Sequence, residues 1–185
     1  MANCCFIGAT VIYKEQVAAR KAFEHFSAVV ERTNKAIPIT GQCWLLGVSV
    51  KYHEPVKLKG PGLSFNGWVK WGLENYAAYF FLEMLQEFGT VESLDVDYEE
   101  LMNGVYGQYH YDSDSDTLTD FYVPYNHTPD YPEFKTPEEE EAFFENGDNV
   151  KLWDNALQKS GVHVVITKED CLKQYEEFEK KKMEA

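Results

Sequence analysis

The sequence predicts an α+β fold, and three observations carry that prediction. Two segments with the two-residue alternation of strands, 4–13 and 42–52, flank a helix-period segment at 15–35. A long aromatic run at 68–88 repeats at helical spacing. Three short alternating segments then follow at 91–99, 105–111 and 117–123, the last two joined by a polar turn.

In the first strand, Cys5, Ile7, Ala9, Val11 and Tyr13 share one face and Cys4, Phe6, Gly8, Thr10 and Ile12 the other. Both faces are largely apolar, as in a central strand. The helix after it places Phe23, Phe26 and Val30 inward, and Pro38 is expected to stop it. Trp44, Leu46, Val48, Val50 and Tyr52 form one face of the second strand. A strand–helix–strand unit of this length is compatible with a right-handed crossover and parallel pairing. Lys59-Gly60-Pro61-Gly62 is a turn, and 63–67 a short strand.

Trp68, Trp71, Leu73, Tyr76, Ala77, Phe80, Phe81, Met84, Leu85 and Phe88 make the aromatic run a core helix, which Gly89 ends. Leu94, Val96 and Tyr98 then alternate with Asp95, Asp97 and Glu99. Residues 124–135, with Pro124, Pro129 and Pro132, are an irregular connector. Thr136-Pro137-Glu138-Glu139 is a helix start, with Thr as cap and Pro in the first position. A helix at 149–159, a strand at 162–166 and a helix that starts at Thr167 with Asp170 close the chain.

The order β-α-β-(β)-α-β-β is that of a ferredoxin-like sandwich, an antiparallel or mixed sheet packed by two helices. On this reading residues 1–124 are that domain, and 125–185 are a helical C-terminal extension packed on it. Three stretches also resemble the YubB-type ferredoxin-like proteins of phages and plasmids. They are Met1-Ala2-Asn3-Cys4 feeding strand one, Leu63-Ser64-Phe65-Asn66-Gly67-Trp68, and Tyr98-Glu99-Glu100 followed by Gly104-Val105-Tyr106-Gly107-Gln108-Tyr109. The resemblance spans about residues 2–124. It implies a mobile-element accessory protein and brings no catalytic residues with it.

At 185 residues the chain is long enough for one domain with a substantial core. It has no apolar run of membrane-spanning length. Its start has no basic region ahead of apolar residues, so it does not read as a signal peptide. Cys4, Cys5, Cys43 and Cys171 show no CxxC spacing and are expected to be reduced thiols of a cytoplasmic protein. The charge is unevenly placed. Residues 1–91 carry 9 basic and 7 acidic side chains, residues 92–148 carry 1 and 17, and residues 149–185 carry 7 of each. The middle block therefore has a net charge of -16 in a chain of -14.

The chemistry of that block excludes more than it assigns. No HExxH, phosphate loop or GxSxG occurs, so no cofactor, metal or catalytic residue is expected. His110 reads as a surface or hydrogen-bonded histidine. Asp112-x-Asp114-x-Asp116 begins like a calcium loop, but Thr117 stands where such a loop needs glycine and Val123 where it needs glutamate. Tyr106, Tyr109, Tyr111, Phe121, Tyr122 and Tyr125 resemble an aromatic platform for RNA. Seventeen carboxylates against one lysine would repel its phosphates.

The same charge suits a surface that occupies a basic groove, carboxylates standing in for phosphates. The expected partner is a basic protein, a nucleic-acid-handling enzyme such as a host defence nuclease. The expected contacts are Asp112, Asp114, Asp116, Asp120, Tyr109, Tyr111, Glu138, Glu139, Glu140 and Glu141. The alternative is a small enzyme or ligand-binding domain with an aromatic pocket between sheet and C-terminal helices, His110 serving as its acid–base group. A homodimeric accessory module is a third possibility.

Overall fold

Strand β1 (Cys4–Tyr13) is the axis of the computed structural model, which describes residues 4–40, 50–53, 55–70, 75–100 and 105–184. Cys5, Ile7, Ala9, Val11 and Tyr13 are all buried, as the alternation requires. After β1 come α1 (Gln16–Thr40), β2 (Val50–His53), β3 (Lys57–Lys59), β4 (Gly62–Lys70) and α2 (Asn75–Gln86). Next are β5 (Val91–Glu100), β6 (Val105–Asp112), β7 (Thr117–Tyr122) and a 3₁₀ turn at Tyr125–His127. The chain continues through α3 (Pro137–Glu145), α4 (Asp148–Ser160), β8 (Val162–Ile166) and α5 (Lys168–Glu184). The class is α+β. One sheet runs β2-β4-β1-β5-β6-β7-β8, with β3 also on β4, and every pairing among the described residues is antiparallel.

The expected parallel pairing of the first two strands is not what forms. β4 lies between β1 and β2, antiparallel to both. Its nine paired residues give β1 a full antiparallel ladder. Residues 42–49 of the expected second strand lie outside the described residues. α1 also runs past Pro38 to Thr40. The missing N–H removes one hydrogen bond of the helix, a loss outweighed by the burial of Ala18, Ala19, Ala22, Phe26 and Val30 on the sheet. The aromatic run divides as well. Trp68 belongs to β4, opposite Phe6, and the described part of the helix is Asn75–Gln86. Trp71 and Leu73 fall outside the described residues.

The inner face of the sheet holds the main core. α1 lays Ala18, Ala19, Ala22, Phe26 and Val30 on it, and α2 adds Tyr76, Ala77, Ala78, Phe81, Leu82 and Leu85. Phe26 meets Phe65 and Phe81 edge to face, at ring-centroid distances of 5.3 and 6.2 Å. Such pairs add roughly 0.5–1.5 kcal/mol each beyond area burial. The Tyr13 hydroxyl donates to the Leu85 carbonyl at 2.9 Å and ties β1 to the end of α2. α5 joins the same layer. Cys171 is fully buried, Tyr175 packs on Tyr76 and Phe80, and Lys168 pairs with Glu83 at 2.7 Å. Burial pushes the Cys171 thiol up to about 11, so it is an inert core residue.

The segment after residue 124 does two things. It returns to the sheet as β8, paired to β7 from Tyr122↔Val162 to Leu118↔Ile166. It also covers part of the outer face with α3 and α4. Trp153 stacks on Tyr106 at 5.2 Å, and Val123, Trp153, Ala156 and Leu157 form a second, smaller core. Among the described residues three helices therefore lie on the inner face and two on the outer. Val150 of α4, although apolar, is exposed.

The start of α3 forms as its residues dictate. The Thr136 hydroxyl accepts from the Glu139 amide, and the Glu139 carboxylate accepts from the Lys135 amide at 2.8 Å. No residue of α3 is buried. Thr136→Ala should therefore cost about 1 kcal/mol locally. The loss should appear as faster amide exchange confined to α3, with the global melting transition unmoved. A global shift instead would show that α3 is coupled to the core.

Candidate acidic interface

The alternation of β5 places Leu94, Val96 and Tyr98 in the core and Asp95, Asp97 and Glu99 on the outer face. Neighbouring strands complete this face in register. Thr10, Asp95, His110 and Thr119 form one row, and Gly8, Asp97, Gln108 and Phe121 the next. Carboxylates two residues apart on a strand stand roughly 6.8 Å apart. Each has a neutral or weakly basic neighbour. His110 Nδ1 lies 2.7 Å from Asp95, Gln108 donates to Asp97 at 2.9 Å, and the Tyr131 hydroxyl donates to Glu99 at 3.3 Å. Lost hydration raises the pKa of Asp97, and Asp95 and Asp154 add to the rise, while the Gln108 bond opposes it. Lost hydration raises Glu99 as well, against the Tyr131 bond.

Both ends of this face are acidic. At one end is the β6–β7 hairpin. Asp112 accepts from the Asp114 amide at 2.9 Å, and Asp116, at φ 48°, accepts from the Tyr111 hydroxyl at 3.1 Å. These carboxylates brace the turn and do not converge as calcium ligands would. Among the described residues no group of three His, Cys, Asp or Glu side chains is placed to hold a metal. At the other end, Tyr131 links Glu99 to Trp153, whose indole donates to its hydroxyl at 2.9 Å. Tyr131 also touches Phe143 and Phe144 of α3. Glu138, Glu139, Glu140 and Glu141 are all exposed there. The Glu138 carboxyl is held below its ordinary value by its own backbone amide and by Thr136. Among the described residues, ion pairing in the block 92–148 is confined to Asp95 with His110 and Asp148 with Lys151.

The expected contacts therefore separate. Asp114, Asp116 and Glu138 to Glu141 are exposed, and Asp112 is half-buried. Asp120, Tyr109 and Tyr111 are 5%, 1% and 5% exposed and present no surface to a partner. All three point to the inner face with Leu118, where Asp120 accepts from the Tyr98 hydroxyl at 2.9 Å. The aromatic platform that charge already argued against does not form either: Tyr106, Phe121 and Tyr122 are half-buried, and of these aromatics only Tyr125 is exposed. Reading 106–111 from the buried parity of Leu94 and Val96 across the hairpin would have found Tyr109 and Tyr111. Asp95, Asp97 and Glu99, alternating with apolar residues, were legible as an exposed face but not as part of the site.

His110 is exposed and hydrogen-bonded, as its surroundings predicted. It lines an open cleft of about 440 Å³ with Ile12, Glu92, Ser93, Asp112, Ser113 and Asp114. The cleft lies at the hairpin, away from the C-terminal helices where a pocket was expected. Among the described residues no helix is long and apolar enough to cross a membrane. No family model, curated protein or solved structure matches the chain.

Proposed function

We propose that the protein is an acidic, intracellular binding protein that inhibits a basic nucleic-acid-handling enzyme by occupying its nucleic-acid groove. The observation that carries this reading is α3, an exposed helix that buries no residue in its own chain. It bears Glu138 to Glu141 beside the exposed Phe144. Carboxylates continue from it across the outer face, through Glu99, Asp97 and Asp95, to the hairpin. Such a track offers a basic groove the repeated negative charge that phosphates would. The ferredoxin-like reading is supported by the order β2-β4-β1-β5 with α1 and α2 on one face, whereas the YubB-type resemblance and an origin in a phage or plasmid rest on the three sequence stretches alone.

The test is capture of partners from host lysate at low and high salt, with the wild type and a Glu138→Lys/Glu140→Lys/Glu141→Lys variant. Glu139 is left intact because it caps the helix. The variant should bind a nuclease or other basic enzyme about tenfold more weakly or worse, and added salt should weaken the wild type in the same way. Salt-insensitive capture, or equal capture by a folded variant, would remove α3 from the interface.

A second reading rests on the His110–Asp95 pair beside the cleft, an arrangement that can orient an imidazole for proton transfer. Among the described residues His110 makes no hydrogen bond to Ser93 or Ser113, so no activated nucleophile accompanies it. Chemical-shift changes confined to the cleft on screening small cationic ligands would favour this reading.

A further inference from the structure

We infer that β8 is the seam of a homodimer, in which two copies pair their β8 strands antiparallel about a two-fold axis at Val164. β8 closes one end of the sheet, and among the described residues β7 is its only strand neighbour. Alternate residues of such an edge turn their N–H and C=O groups away from the sheet, which makes it a template for another strand. Natural edges are blunted with lysine, proline, a bulge or a covering helix. Val162-His163-Val164-Val165-Ile166 contains no charge and no proline, and its register with β7 is unbroken. Val162, Val164 and Val165 are 36%, 36% and 60% exposed, so among the described residues no helix covers them.

Charge selects the occupant. Each copy carries -14, and the block 92–148 repels a second copy wherever its carboxylates face outward. β8 is an uncharged strand through which two such molecules can approach. A basic partner gains nothing there and is drawn to α3 and the outer face. The pairing is also self-complementary: Val164 meets Val164, Val162 meets Ile166, and His163 meets Val165. β-Branched cross-strand pairs of this kind favour sheet formation. His163 is already stacked on Phe121 at 4.1 Å, so its ring is held on the outer face before a second strand is met. A two-fold axis perpendicular to an antiparallel sheet keeps like faces together. The two acidic outer faces would then lie on the same side.

Light scattering across micromolar to sub-millimolar concentrations tests this inference without reference to any partner enzyme. The wild type should reach about twice the 21.4 kDa of one chain. Added salt should strengthen the dimer, since it screens repulsion and leaves strand pairing intact. Val165→Lys, at an exposed position, should raise the dissociation constant about tenfold or more and leave the circular dichroism spectrum unchanged. Val165→Thr keeps the β-branch without the charge and should remain dimeric. A wild type that is monomeric throughout overturns the inference, as does a folded Val165→Lys protein that dimerises normally. Failure of either kind leaves the reading of the acidic face untouched, because salt acts on the two associations in opposite directions.

Discussion

Gly107→Ala should destabilise the fold by about 3–4 kcal/mol, although it adds a single methyl group. Gly107 sits in β6 opposite Tyr98 of β5 and Tyr122 of β7. A methyl carbon there would lie 2.8 Å from the Tyr122 Cβ and would run into the hydroxyl end of the Tyr98 ring. Tyr98 has little room to move: it is 6% exposed, its ring centroid is 5.0 Å from that of Tyr109, and its hydroxyl donates to Asp120. Displacing it overpacks the core, at roughly 1–3 kcal/mol. It also strands two buried polar groups, at roughly 1–3 kcal/mol more. For a chain of this length the midpoint of thermal melting should fall by about 6–16 °C. A Tyr98→Leu background removes the ring tip, so the added cost of Gly107→Ala should shrink there. Equal costs in both backgrounds, or a wild-type midpoint for Gly107→Ala alone, would show that the ring is not the obstacle.

What was legible in the sequence was what local chemistry decides. The alternation of Leu94, Val96 and Tyr98 against three carboxylates is a statement about two faces, and those faces exist. Thr136 with Glu139 caps α3, and Thr167 with Asp170 caps α5, because those hydrogen bonds span only a few residues. What was not legible depended on distant strands. Trp68 fits the helical period of the residues after it, but β1 offers β4 a full antiparallel ladder and claims it for the sheet. Asp120 shows the same limit in the site. Its charge argues for the surface. Its place two residues from Leu118 argues for the core, and the register of β6 with β7 decides for the core. The acidic site that remains is drawn from β5, the hairpin and α3, whose shared face arises only when Tyr131 and Trp153 bring the C-terminal helices back onto the sheet.

The stability of the protein should fall as pH rises from about 4 to above 6, and Asp120→Asn should remove most of that slope. Burial pushes the Asp120 carboxyl from 3.8 up to about 6, against the opposing bond from Tyr98. Because the folded-state value lies above the unfolded one, the folded protein binds more protons in this window. The carboxyl is neutral and accommodated below the unfolded value. It is charged within the core above the folded one, so the contribution is lost as pH rises. The shift corresponds to about 3 kcal/mol at full development. Burial raises Asp97 and Glu99 in the same direction, and the net charge of -14 adds repulsion at neutral pH. The wild type alone therefore cannot isolate Asp120, whereas its difference from Asp120→Asn can. Asparagine does not titrate, and its carbonyl can still accept from Tyr98. Urea unfolding of both proteins at several values between pH 4.5 and 7.5 should give curves that converge toward acid and separate toward neutrality, the variant gaining on the wild type. Parallel curves would mean that the Asp120 carboxylate is as well solvated as in the unfolded chain. The Tyr98–Asp120 pair would then not be the dry element that the Gly107 argument also requires, so the two measurements bear on one another.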